Sequence, residues 1–306
     1  MKASTPRHVV GMEENVREIG RSTVASMLAV AVVVSLLSAV WALVLVSSGI
    51  TEVLGSPFVY EEGPRGAIVN SVLTLLLVLL GTGVLLAMIK LRKARFIPAL
   101  TAFAVAFSFW GISELYFYAF SAFDQRILPI ADATSILLAV TTGALILKPV
   151  NATLLNALLI AYGTMAGALL FATLPSWSVF GIAVVLAAYD LYSVFRGPLK
   201  KILESTIAQE QAPADKLHSP LRGSVVVIRG LALGMGDVLV YSMLSPAFLL
   251  YPRVSVERWI LSNLALTAGL YATLEMLKRR RYMPALPLPV AFSVAAYLAY
   301  TLVSGT

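Results

Sequence analysis

The chain has 306 residues, is 59% hydrophobic and only 13% charged, and carries a formal net charge of +7 with no cysteine. A soluble domain holds about 25% charged residues, so this composition excludes an ordinary soluble protein and reads as a polytopic membrane protein forming one membrane domain, residues 1–306. The missing cysteine excludes disulfides, thiol nucleophiles and thiolate metal sites, and the basic residues sit in short segments between apolar runs, which argues against nucleic acid as a partner.

Residues 1–23 form a polar N-terminal segment, with Lys2, Arg7, Arg17 and Arg21 against Glu13, Glu14 and Glu18. The apolar run that follows, 24–46, exceeds the ~7–15 residues of a signal h-region and reads as a first span rather than a cleavable leader. Eight further spans of ~20 residues follow. They are 67–89, 96–120, 127–147, 153–174, 177–195, 224–250, 258–277 and 286–303. Helices one to five thus occupy 24–174, and helices six to nine 177–306. Gly163 and Gly167 in the fifth span form a small-xxx-small pair of the kind that packs helices. With the N-terminus inside, 19 of the 23 Lys and Arg residues fall on the inner side. The positive-inside rule therefore predicts a cytoplasmic N-terminus and an outer C-terminus. The fold class predicted is an all-α polytopic membrane protein of nine transmembrane helices, multi-pass in the cell membrane.

The inner loop 197–223 is the longest. Pro198 suits a first helical position, and Leu199, Ile202, Leu203 and Ile207 fall at helical spacing opposite Lys200, Lys201 and Glu204, which predicts a short amphipathic helix at the inner surface. Val225-Val226-Val227-Ile228 then leads into the seventh span. β-branching favours extended structure, yet such runs are also ordinary in membrane helices.

Two acids dominate the second half. Asp237 lies in Gly234-Met235-Gly236-Asp237, inside the apolar run 231–250, and Asp190 follows Tyr189 in the preceding span. A carboxylate at mid-helix costs about 2.5–3.5 kcal/mol on translocon scales, so an intramembrane acid is a functional-site hypothesis by default. Gly230, Gly234 and Gly236 remove bulk beside the acid, so another helix or a substrate backbone can approach. At a rise of ~1.5 Å per residue, Asp190 and Asp237 lie ~9 and ~12 Å from the inner boundary on antiparallel neighbours. Two carboxylates in one apolar site share a proton, the state in which one activates a water and the other polarises a carbonyl. Glu114, Asp132 and Glu275 are further acids in the spans. Glu275 has Lys278 beside it at a helix end, and the other two fit packing or water contact. His8 and His218 lie outside the spans, so zinc-protease and membrane serine-protease chemistry have no histidine there. No metal or cofactor is implied.

Tyr189-Asp190, the Gly-x-Gly-Asp ending at Asp237, and Pro284-Ala285-Leu286 at the ninth span occur together and in order. This set resembles the presenilin and signal-peptide-peptidase group of intramembrane aspartyl proteases. Tyr189-Asp190-Leu191, Gly197-Pro198-Leu199, Arg229-Gly230 and Tyr241-Ser242 are more similar to the presenilin pattern. The resemblance implies a presenilin-like fold and an endopeptidase that cuts transmembrane segments. It implies Asp190 and Asp237 as the catalytic pair, with Tyr189, Gly234, Gly236, Pro284, Ala285 and Leu286 around the substrate. Only 46 residues separate the two acids. That points to a compact prokaryotic, archaeal type that neither cleaves itself nor needs accessory subunits, its partners being the substrate helix and the lipid bilayer. Presenilin forms a small sheet with its substrate before its seventh span. The resemblance therefore singles out residues 224–228, with Val226 central, as an edge that is mobile or helical alone and extended with substrate. The rival reading of the same acids is a transporter or an ion or proton leak pathway.

Overall fold

The structure, a computed structural model, describes residues 20–56, 58–197, 222–279 and 283–305. The expected amphipathic helix after Pro198, both histidines and most of the N-terminal segment lie outside these residues. Nine helices of membrane scale run through the described chain: α1 (Arg21–Ser47), α2 (Pro64–Lys90), α3 (Ile97–Ser121), α4 (Leu128–Leu147), α5 (Ala152–Thr173), α6 (Ser176–Phe195), α7 (Met235–Leu250), α8 (Val256–Leu277) and α9 (Pro287–Ser304). Eight are long and apolar enough to cross a bilayer, and α7, at 16 residues, is shorter. The protein is a multi-pass helical membrane protein, as composition predicts.

Helix starts follow local chemistry. Proline stands in the first turn of α2, α3, α4 and α9, where its missing N–H removes nothing from the helix. The side chains of Asn151 and Ser255 cap α5 and α8 by accepting from the N–H groups of Leu154 and Arg258. Glu62 accepts the N–H of Ser176 at the start of α6, at 3.1 Å.

The seventh span departs from expectation. Its first eleven residues, 224–234, are not helical. β1 (Val225–Ile228) and β2 (Leu231–Gly234) form an antiparallel hairpin in the register Val225 to Gly234, Val226 to Leu233, Val227 to Ala232 and Ile228 to Leu231. The two-residue loop has both φ angles positive, 46° at Arg229 and 86° at Gly230. That is the condition for a type I′ turn, whose twist matches the strands it joins. Gly230 therefore serves the turn rather than the approach of a neighbour. The architecture is helical, as expected, and among the described residues a β-hairpin is added at the start of the seventh span. The segment singled out before the seventh span is extended. Asp237 consequently stands in the first turn of α7 rather than at mid-helix.

α7 is the centre of the molecule. It packs against α1, α5, α6 and α8, and from Val240 to Leu249 every side chain is buried. A helix that is apolar all round and covered all round is a core helix. Gly163 and Gly167 of α5 make its closest approach possible. A Cβ at Gly163 would stand 2.7 Å from Val238 Cγ1, and one at Gly167 only 2.4 Å from Ser242 Cβ. The C-terminal carbonyls of α7 are satisfied by a buried arginine on α8. Arg258 Nε donates to the carbonyl of Phe248 at 2.9 Å, its guanidinium also reaches those of Leu249 and Arg253, and it lies 5.5 Å from the centre of the Tyr297 ring. Arg258 is thus a buried cation, not a loop charge. The outer faces of α2 and α3 leave Leu76, Leu80, Phe103 and Phe107 exposed, as lipid contact requires.

Candidate active site

Asp237 occupies the third position of α7, and its Oδ2 accepts the N–H of Gly234 at 3.1 Å. This is the carboxylate half of a capping box, and it joins the acid to the last residue of β2. The position follows from the sequence switch at Gly234: extended residues stop there, and Met235 donates its N–H to Ser224 O at 2.8 Å, closing the hairpin onto the helix start. A Cβ at Gly234 would meet Asp237 Oδ2 at 3.0 Å, whereas nothing comes within 4 Å of the corresponding point at Gly236. Of the two motif glycines, Gly236 is therefore the one beside open space.

Asp190 lies near the C-terminal end of α6, and its Oδ2 accepts the N–H of Leu286 at 3.1 Å. Tyr241, one turn beyond Asp237 on α7, donates its hydroxyl to the carbonyl of Ala285 at 3.0 Å. Ala285 C=O and Leu286 N–H are the two sides of one peptide unit. That unit is gripped by α6 on one side and α7 on the other. Pro284 and Leu286 are buried around it, and Pro287 starts α9 immediately after. Asp190 is tied to this peptide directly, and Asp237 stands one turn before the Tyr241 that holds its other side. The structure thus brings together Asp190, Asp237, Gly234, Gly236, Ala285 and Leu286. Tyr189 is turned elsewhere: its hydroxyl meets Thr82 Oγ1 of α2 at 3.4 Å. The remaining acids are not gathered here. Glu275 pairs with Lys278 at 2.5 Å, and Glu114 and Asp132 belong to α3 and α4, which pack on each other. Among the described residues, no group of three or more His, Cys, Asp or Glu side chains could hold a metal ion.

Val226 is fully buried, facing inward with Leu233. The backbone groups of β1 are not available in the way the sequence suggests. Val227 donates its N–H to Asn156 Oδ1 at 3.1 Å and accepts from Asn156 Nδ2 at 2.6 Å. Sequence reasoning passed over Asn156, a lone amide in an apolar run; it has no local signal, since its partner is 71 residues away.

A polytopic helical bundle with two acids at the broken ends of its inner helices defines a class of membrane protein with a carboxylate-pair site. The fold is presenilin-like. The chain is similar to a presenilin family intramembrane aspartate protease solved in a C222 crystal form, with a TM-score of 0.61 and 18% identity over 92% of this chain and 99% of that one. A structure of such a protease in a P2 form gives a TM-score of 0.59 and 20% identity over 89% and 96%. Presenilin-B of Dictyostelium discoideum is 35% identical over 129 residues, which is 40% of this chain. The match spans 26% of that relative's length. No protein-family model matches the sequence.

Proposed function

We propose that this protein is an intramembrane aspartyl endopeptidase that hydrolyses transmembrane segments of other membrane proteins. The observation that carries this reading is that both carboxylates sit where helical backbone is interrupted, Asp237 on the end of β2 and Asp190 on the peptide before α9. Interrupted backbone at membrane depth is tolerated where it lines a cavity or meets another chain. Here it meets two acids.

In the reaction, one carboxylate takes a proton from a water while the water oxygen bonds to the scissile carbonyl carbon. The other, protonated, gives its proton to the carbonyl oxygen. The C–N bond then breaks as a proton passes to the leaving nitrogen. Asp190 and Asp237 are the pair. Gly236 leaves room for the substrate backbone, Pro284, Ala285 and Leu286 form the wall opposite, and Val226 holds β2 in place from beneath. Tyr189 lines the α2 side. The protein works as one membrane domain in the cell membrane, N-terminus inside and C-terminus outside, without obligatory accessory subunits.

The test is incubation of the purified protein with a transmembrane peptide and identification of the products by mass spectrometry. Asp190→Ala and Asp237→Ala should each lower turnover by at least about 1000-fold, because one acid cannot fill both roles. Near-normal turnover in either variant would sink the assignment.

A further inference from the structure

The hairpin has two outer edges, and their hydrogen bonds differ. In an antiparallel pair, residues alternate between facing the partner strand and facing away. The two-residue turn makes Ile228 and Leu231 a bonded pair, and Met235 N–H to Ser224 O continues the same alternation. Val225 and Val227 on β1, and Ala232 and Gly234 on β2, therefore direct their N–H and C=O groups outward. On β2, Asp237 takes the N–H of Gly234. Among the described residues, that leaves the N–H and C=O of Ala232 without a partner, in line with the acid, while the C=O of Gly234 faces the first turn of α7 as its N-cap carbonyl. On β1, Asn156 takes both groups of Val227.

We infer that Asn156 is a positioning residue which closes the outer edge of β1 at Val227, the position paired with Ala232, and so directs an extended substrate segment to β2. This rests on the proteolytic reading above. A carboxamide offers one donor and one acceptor in a plane, the same pair that an outward-facing residue of a neighbouring strand would offer. It terminates the sheet as a third strand would, which is one way natural proteins protect an edge. The placement is rigid, because Asn156 lies on α5, and α5 is locked through Gly163 and Gly167 onto α7, the helix that carries Asp237. The choice of edge matters for the chemistry. A segment on β1 would lie about 14 Å, three strand spacings, from one on β2, and only the β2 edge ends at Asp237.

The chain contains no cysteine, so single cysteines give an unambiguous readout. Val227→Cys and Ala232→Cys place thiols on the same exposed face of the two strands. A transmembrane peptide carrying one cysteine, scanned through its inner half, is trapped by disulfide formation in each variant. With Asn156 intact, Ala232→Cys should trap the peptide and Val227→Cys should not. In the Asn156→Leu background, Val227→Cys should gain trapping to within about twofold of Ala232→Cys, and the peptide products should spread over more cut positions. A role in stability alone would lower the rate and leave the cut positions unchanged. Asn156→Asp, which keeps the volume and the acceptor for Val227 N–H, should fall between the two and guards against a folding defect in the leucine variant. Unchanged trapping and unchanged products in both variants would overturn the inference, as would trapping at neither thiol with Asn156 intact. Trapping at Ala232→Cys without any cleavage would instead remove the proteolytic reading and leave the edge selection standing.

Discussion

The peptide unit between Ala285 and Leu286 is held from both sides, by the Tyr241 hydroxyl on its carbonyl and by Asp190 on its N–H. Tyr241→Phe keeps the ring and removes the donor, leaving the carbonyl without its partner. An unpaired buried polar group costs about 1–3 kcal/mol. If that cost falls on the geometry of the acid pair, turnover drops by up to about 100-fold. KM and the position of the cut should hold, as steady-state kinetics and mass spectrometry would show; a normal rate in Tyr241→Phe would mean the grip is incidental. Arg258 poses the opposite case, a residue remote from chemistry. Arg258→Met removes the arginine donors from the carbonyls of Phe248 and Arg253 and one of two donors from that of Leu249, which keeps the N–H of Ser255, and should cost on the order of 2–5 kcal/mol, read as a lowered Tm in detergent. Arg258→Lys should recover little, since an ammonium lacks the fork geometry. These residues differ in how visible they are in the sequence. Asp190 and Asp237 stand out because a carboxylate in an apolar run is rare. Arg258 and Asn156 do not, because each acts on backbone groups that only the fold brings near.

At the scale of elements, the α5–α7 contact and the hairpin decide where Asp237 sits. Gly167→Ala would place a methyl 2.4 Å from Ser242 Cβ and 2.7 Å from the Leu239 carbonyl, forcing two helices apart. Such overpacking costs about 1–3 kcal/mol, so Tm and activity should fall together. Gly81→Ala, where nothing lies within 4 Å, should leave Tm level or raise it by the helix preference of alanine over glycine, about 0.5–1 kcal/mol. Equal behaviour of the two variants would show that the close approach is not what locks α7. Proline separates the two edges of the hairpin. Val226 faces β2, so Val226→Pro breaks the ladder itself. Ala232→Pro removes a donor that the ladder does not use, and should lower cleavage of a transmembrane peptide while binding of a small dyad-directed inhibitor persists. The spans were legible from hydropathy, as was the helix-packing role of Gly163 and Gly167. The hairpin was not. Its residues are apolar in either conformation, so hydropathy does not separate strand from helix there. The signal was nonetheless present: Arg229-Gly230 between two four-residue apolar runs is a hairpin pattern once helix is not assumed.

For the whole molecule, the charge distribution sets orientation and the fold leaves it to be measured. Lys93→Cys and Gly305→Cys, each in the cysteine-free chain, should react with a membrane-impermeant maleimide from opposite sides, Lys93→Cys from the cytoplasmic one. Reaction of both from the same side would remove one crossing from the bundle. α7 is the crossing to question, since 16 residues span only about 24 Å at helical rise, against a hydrocarbon core of about 30 Å. The hairpin makes up the difference at one end of α7, and Arg258 closes the other.

The strands of the hairpin are ordered by pairing with each other within the chain, and this shifts the burden of ordering. On the proposed reading, the enzyme strand loses no further conformational freedom on binding, and the entropy of fixing an extended segment, about 1–2 kcal/mol for each backbone residue, falls on the substrate alone. Selection then depends on how readily a guest helix comes undone. Glycine or β-branched residues just inside the inner boundary of a guest segment should speed its capture, and a run of leucine and alanine there should slow it, whatever side chains the site itself prefers.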